Sequence, residues 1–330
     1  MSPDLSAGAA GSIGTPALWA VTLTVAVALV VVDFLVTRRP HEVSLREAAG
    51  WSAFYIALPL AFGGWIWSRY GSERGLEYLT GYLVEKSLSV DNLFVFLLLL
   101  TAFAVPPVLQ QRVLLYGIVG ALVLRGMLIA VGAAAIGSLS WAFLLFGAVL
   151  LVTAVKVLQD ARRGHAEVDV AAMRSVRLLR RVMPVVDDYR GPRLTVVEAG
   201  RRALTPFALV VAAVFATDVV FAVDSVPAVY GITSDPYLVF VTNAFALLGL
   251  RALYFVLQSG LSRLVHLGFG LAAILGLIGV KLVLHWAHGV WSWVPQIPTL
   301  LSLAAIVGVL ALVTATSLRA TRGREPAPRV

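Results

Sequence analysis

Runs of roughly 20 apolar residues, the length that crosses a bilayer core, recur along this 330-residue sequence from one end to the other. A soluble domain of this size could not hide so much apolar surface: 59% of the residues are hydrophobic and 13% charged, where ordinary chains run near half and a quarter. The expected fold class is therefore all-α, a polytopic membrane helix bundle within a single transmembrane domain, 1–330. The formal charge of +8 then becomes a topological signal, not a nucleic-acid footprint. No cysteine is present, so neither a disulfide framework nor a thiolate metal site can form. With no basic stretch before the first apolar run, that run is expected to stay in the membrane as a span.

Apolar runs and their polar breaks predict about nine spans, at roughly 16–37, 51–68, 77–101, 111–136, 139–158, 206–229, 236–258, 264–285 and 298–318. Arginine is concentrated in 38–50, in 159–205 and in the tail after 318, whereas 230–235 and 286–297 hold no Lys or Arg. The positive-inside rule then sets the N-terminus outside and the C-terminus in the cytoplasm, against only Arg69 and Arg74 in the short turn 69–76. Trp286, Trp291 and Trp293 beside Pro295 read as an interfacial belt on the outer side. The loop 159–205 is Arg-rich, and its 174–183 stretch reads as basic and amphipathic. It is expected to enforce orientation on anionic lipid, with a cytoplasmic partner as the second reading.

The spans also repeat. EKSLSVDN (85–92) aligns with DVVFAVDS (218–225), matching Glu85 with Asp218 and Asp91 with Asp224. Leu124-Arg125-Gly126 then matches Leu250-Arg251-Ala252, and AVLLVTAVK (148–156) matches AILGLIGVK (273–281) without a gap. Spans 3–5 (repeat 1, about 77–158) and 6–8 (repeat 2, about 206–285) start from opposite faces, so the repeat is inverted. Transporters are built in this way, with the site near the midplane between the repeats.

Ionisable residues at membrane depth cost at least a few kcal/mol and mark function by default. Four carboxylates, Glu85, Asp91, Asp218 and Asp224, face Lys86, Arg125 and Arg251, which leaves about one negative charge uncompensated. The two arginines read best as structural ion-pair anchors, since a guanidinium keeps its charge. Ser87, Ser89, Asn92, Thr217, Ser225 and Asn243 surround the acids with further polar atoms. Six residues of helix rise about 9 Å and turn about 240° net, so the acids of one helix cannot share an ion. Across antiparallel helices, Glu85 should come level with Asp224 and Asp91 with Asp218, in two tiers. Each tier should hold a cation or share a proton. Pro227 is expected to loosen its helix near Val223 and free carbonyls for coordination. With only oxygen ligands in reach and the five histidines near span ends or in loops, magnesium, calcium and manganese fit better than copper or zinc.

EYLTGYLVEKSLSVDNLFVF (77–96), ATDVVFAVDSVPAVYGITSDPYLVFVTNAFALLGLRALYF (216–255) and PVVDDYRGPR (184–193) resemble the TerC family of bacterial membrane proteins, Alx branch included. The likeness covers about Trp51 to Lys281. It implies a protein of the bacterial inner membrane, grouped with LysE-type exporters and linked to tellurium resistance and manganese export. On the matching positions it implies metal contacts from Glu85, Asp91, Asp218 and Asp224, with Asn92, Ser225 and Asn243 as polar members. The reading is a secondary exporter of a divalent cation, Mn2+ first, coupled to protons, and not an enzyme. Its rival is a non-transporting hub that senses metal and assembles stress proteins through 159–205. An intramembrane aspartyl hydrolase lacks its Gly-x-Gly-Asp cue, and no P-loop supports an ATP-driven pump.

Overall fold

The computed structural model describes residues 12–36, 44–138, 141–163, 176–178, 183–198, 200–257, 266–291 and 293–321. Its helices are α1 (Pro16–Val36), α2 (Leu45–Tyr70), α3 (Ser72–Ala102), α4 (Pro107–Ser138) and α5 (Ala142–Arg163) before a short hairpin, β1 (Thr195–Glu198) and β2 (Arg201–Leu204). After it come α6 (Pro206–Tyr230), α7 (Pro236–Leu248), α8 (Leu250–Leu257), α9 (Leu267–Val290) and α10 (Thr299–Thr321).

Local chemistry explains the starts. Ser44 caps α2 by accepting from the Glu47 amide, Thr205 caps α6 from Ala208, and Asp235 caps α7 from Tyr237. Pro206 and Pro236 open their helices where a missing N–H costs nothing.

Among the described residues, seven helices (α1, α2, α4, α5, α6, α9 and α10) are long and apolar enough to cross a membrane. The pair α7–α8, bent by 41° at Gly249, makes an eighth candidate. The chain is thus an all-α, multi-pass membrane protein. Helix α3 has the length, 31 residues, but not the composition, because the polar stretch around Glu85, Lys86 and Asp91 lies in its middle. Two expectations change here. The seventh span is not one rod but two helices. Pro227 lies inside α6 near its end, with its carbonyl accepting from Gly231, and α6 runs on to Tyr230; the interruption falls at Gly249 instead.

Packing joins the two halves of the chain. Helix α5 lies against α9, α4 against α6, and α3 against α7 and α6. The α5–α9 contact is built on glycine: a Cβ on Gly279 would stand 3.2 Å from the Gly147 carbonyl, and one on Gly147 3.0 Å from the Gly279 carbonyl. Small residues let membrane helices approach this closely. One apolar cluster joins Leu93 and Phe96 of α3 to Val113, Val210 and Leu250; another joins Val84 and Leu88 to Leu150, Ile274 and Ile278. Val21, Val27, Val131 and Leu312 point outward, as lipid-facing residues do.

The loop ahead of α6 carries structure that an all-α reading leaves out. β1 and β2 pair antiparallel, Val197 opposite Arg202, with Gly200 in the left-handed region at the turn (φ 75°). Tyr189 ties this segment to the bundle by donating to the Phe103 carbonyl at 2.8 Å, and burial pushes its phenol up to about 12. Of the stretch 174–183, only 176–178 and 183 belong to the described residues.

Candidate functional site

The acidic motifs meet at the centre of the bundle, on Arg125 of α4. Its side chain is 1% exposed and reaches three neighbouring helices. It donates to Glu85 Oε1 of α3, to Asp218 Oδ1 of α6 at 3.2 Å, and to Asn243 Oδ1 of α7 at 3.0 Å. Asn243 holds its amide in place by donating to the Val239 carbonyl one turn back, at 3.1 Å. Along α6 the fully buried core residues stop at Val214 and resume at Val226, apart from Ala222. Asp218, Asp224 and Ser225 occupy that interval.

These contacts divide the residues singled out from sequence. Glu85, Asp218 and Asn243 converge on one guanidinium. Asp224 is half-buried and lies within electrostatic range of both Arg125 and Glu85. Asn92 and Ser225 are buried close along the same two helices. Ser87 and Thr217 spend their hydroxyls on carbonyls of their own helices, Leu83 and Ala213. Asp91 belongs to α3, but its side chain lies outside the described residues. The first acids of the two motifs therefore share a partner, where the tier argument set Glu85 level with Asp224. Rise along the helices does not by itself fix which acids meet; the N–H donors of the Arg125 guanidinium reach both Glu85 and Asp218 and hold them together.

Several buried polar atoms here have no hydrogen-bond partner among the described residues: Glu85 Oε2, Asp218 Oδ2, Ser89 Oγ, Ser225 Oγ and Asn92 Nδ2. Such atoms are rare in folded proteins and call for a ligand, an ion or water. The oxygens suit a hard cation. No three His, Asp or Glu side chains converge as a ready cage among the described residues. Arg125 stands between Glu85 and Asp218, where a shared ion would have to sit.

Arg251, the counterpart of Arg125, belongs to a separate network. It donates to Asp33 of α1 at 2.8 Å and 3.4 Å and to Gln111 of α4 at 3.2 Å, while the Tyr55 hydroxyl of α2 donates to Asp33 at 3.0 Å. It therefore balances Asp33, not the four acids. The sequence held the cue, since Asp33 is the one charged residue in the run Pro16–Val36.

A cavity of about 700 Å³ opens between the start of α3, the end of α6, α9 and the segment before α10. Glu73, Glu77, Thr233, Lys281, His285 and Gln296 line it. Glu77 Oε2 accepts from Arg74 at 2.8 Å and from Thr233 at 2.9 Å. The Lys281 ammonium has no hydrogen-bond partner among the described residues.

Residues 70–325, which hold both acidic motifs, Arg125 and Arg251, match the description of the integral membrane protein TerC family. The chain belongs to the TerC family. Within it, the chain is 38% identical over 312 residues to an uncharacterised membrane protein of Myxococcus xanthus, covering 94% of this chain and 95% of the relative. It is 42% identical over 322 residues to an uncharacterised membrane protein of Mycobacterium tuberculosis, covering 93% and 80%. It is 38% identical over 312 residues to Alx of Escherichia coli (strain K12), whose name proposes a membrane-bound redox modulator, covering 91% and 94%. No solved structure matches this TerC-family chain.

Proposed function

We propose that the protein is a secondary exporter of a divalent metal cation, manganese before magnesium or calcium, coupled to protons at the carboxylates of α3 and α6. The observation that carries this reading is the charge left at the centre. Arg251 is neutralised by Asp33 and the Lys86 ammonium reaches the Ala246 carbonyl, which leaves Arg125 as the cation paired with the central acids. Glu85, Asp91, Asp218 and Asp224 against that one guanidinium leave a negative excess that a divalent ion would reduce. The unpartnered oxygens of Glu85, Asp218, Ser89 and Ser225 supply hard ligands. Binding requires Arg125 to release at least one carboxylate, which makes the guanidinium a competitor for the ion. Asp91, Asn92, Asp224 and Asn243 complete the proposed ligand region.

The proposed architecture has nine spans, with α3 as a polar one and α7–α8 as one bent span. The N-terminus lies outside and the C-terminus in the cytoplasm of a bacterial inner membrane. Packing supports an inverted repeat of α3–α5 on α6–α9: α3 meets α6, α4 meets α7 and α5 meets α9, while the α4–α6 and α3–α7 contacts exchange under the same operation. Single contacts exchange as well. Leu151 aligns with Gly276 and Ala154 with Gly279; Leu151 meets Gly279 while Ala154 meets Gly276. The cavity beside Glu77 and Lys281 would then be the outer mouth.

Manganese flux into vesicles containing the purified protein, with and without a pH gradient, tests the reading. Wild type should move manganese and the Asp218→Asn and Asp224→Asn chains should not; no flux in wild type overturns it. A second reading, the metal-sensing hub, draws on the hairpin, where Val197, Arg201 and Arg202 are exposed. Metal binding without flux would favour it. A redox role, suggested by the name of Alx, would have to work without thiols in this chain, which has no cysteine.

A further inference from the structure

Lysine is rare in this chain and oddly placed. Of 26 basic Lys and Arg residues only Lys86, Lys156 and Lys281 are lysines, and all three lie within long helices, α3, α5 and α9. Every cation of the loops is arginine. The two differ in shape: a guanidinium is a broad planar fork, an ammonium a compact point charge on a flexible stem.

Lys86 follows Glu85 on α3, yet the two side chains part company. Glu85 reaches Arg125, whereas the Lys86 ammonium reaches the joint between α7 and α8, 3.5 Å from the Ala246 carbonyl. A Cβ on Gly249 would stand 3.0 Å from that nitrogen and 2.9 Å from the Tyr55 Cβ, so the glycine makes the room in which the ammonium sits.

The joint is also the end of a helix. Helix α7 stops at Leu248 and the chain bends by 41°, with the Gly249 amide turned back to the Leu247 carbonyl. The last carbonyls of a helix lack their amide partners and carry the negative end of its dipole. Leu247, Leu248, Leu250 and Arg251 are each 1–2% exposed, so water does not flood the place. In broken transporter helices such ends commonly coordinate sodium ions or protons.

We propose that the buried α7–α8 joint is a monovalent-cation site that this chain fills with its own Lys86 ammonium. A tethered cation cannot diffuse away, so the protonated Lys86 keeps the helix end neutralised whatever the central carboxylates hold. It also ties α3, which carries Glu85 and Asp91, to the bend at Gly249 in the opposing repeat. That last consequence rests on the exporter reading; the site itself does not.

The test is to make the tethered ion replaceable. Lys86→Met keeps the stem and removes the charge. The full-length Lys86→Met protein should unfold at lower temperature than wild type in choline chloride, whose cation is too large for the joint. It should recover most of that loss when sodium or potassium chloride replaces choline at equal ionic strength. Wild type should unfold at the same temperature in all three salts. A chain that can be purified only in sodium or potassium counts as the same rescue. Equal destabilisation in all three salts, recovery in none, or no destabilisation at all overturns the proposal. Because the readout is unfolding and not flux, its failure leaves manganese export standing, and absent flux in wild type leaves the joint site standing.

Discussion

With its guanidinium shared between Glu85 and Asp218, Arg125 cannot be removed without leaving two carboxylates buried against one another. Losing one partner of a buried pair costs about 3–5 kcal/mol. Arg125→Met should therefore lower stability by an amount of that order in a denaturant or thermal titration. The double variant Arg125→Met with Glu85→Gln should lose clearly less than the sum of the two single changes. Additive losses would mean that the pair is not coupled. Asp224 is a different case. It is half-buried and makes no ion pair among the described residues, so Asp224→Asn should shift stability by only about 1 kcal/mol or less. As a proposed ligand it should nevertheless weaken manganese binding about tenfold or more, a loss of about 1.4 kcal/mol readable by calorimetry. A variant that binds manganese as wild type does would remove Asp224 from the site. All four acids were legible in the sequence because charge inside an apolar run stands out. Their grouping was legible in part: Glu85 and Asp224 lie within electrostatic range of one another, while the sharing of Arg125 by Glu85 and Asp218 depends on how α3, α4 and α6 turn about their axes, which spacing along one helix does not report. Asp33 carries the same cue, a single charge inside the apolar run of α1, outside the repeat.

At the level of elements, the limits of the spans follow from the lengths of apolar runs and from caps at Ser44, Thr205 and Asp235, and these are local facts. The bend at Gly249 is not local. No proline marks it, and the sequence LLGLRALYF continues as apolar as before; the break becomes visible only with Tyr55 and Lys86 packed into the space that a Cβ would need. Pro227 gave the opposite lesson, since α6 continues past it for the last turn before Gly231. The hairpin of β1 and β2 was hidden inside an Arg-rich stretch that composition reads as a connector. Helix contacts can be tested one glycine at a time. Gly279→Val would press a side chain toward the Gly147 carbonyl and Leu151, and overpacking of this kind costs about 1–3 kcal/mol. Gly289→Val, on the same helix with no atom within 4 Å of its Cβ position, should cost little beyond helix propensity. Comparing the unfolding temperatures of the two variants checks whether the α5–α9 contact is as close as described; equal shifts would argue that it is not.

The whole molecule poses the question of direction, because the proposed exporter would present the Glu77–Lys281 cavity to one side and its basic loop to the other. Position in the bundle decides which residues report it. Ser234 lines the cavity at the ends of α6 and α9, and Val197 is 68% exposed on the hairpin that precedes α6. The start and end of α6 lie about 37 Å apart, at 1.5 Å of rise for each of its 25 residues, enough to separate them by a bilayer core of about 30 Å. A chain without cysteine makes the measurement clean, since any thiol introduced is the sole one present. With the arginine-rich loop held in the cytoplasm, Ser234→Cys should react with a membrane-impermeant maleimide added to intact cells. Val197→Cys should react only after the membrane is opened. The same two variants bear on the repeat, for an inverted pair of three-helix units must begin on opposite faces: α3 starts beside the Ser234 cavity and α6 starts beside the hairpin. Labelling of both positions from one side would reject the orientation and the inverted repeat together. The reversed pattern would keep the repeat and turn the proposed export path around.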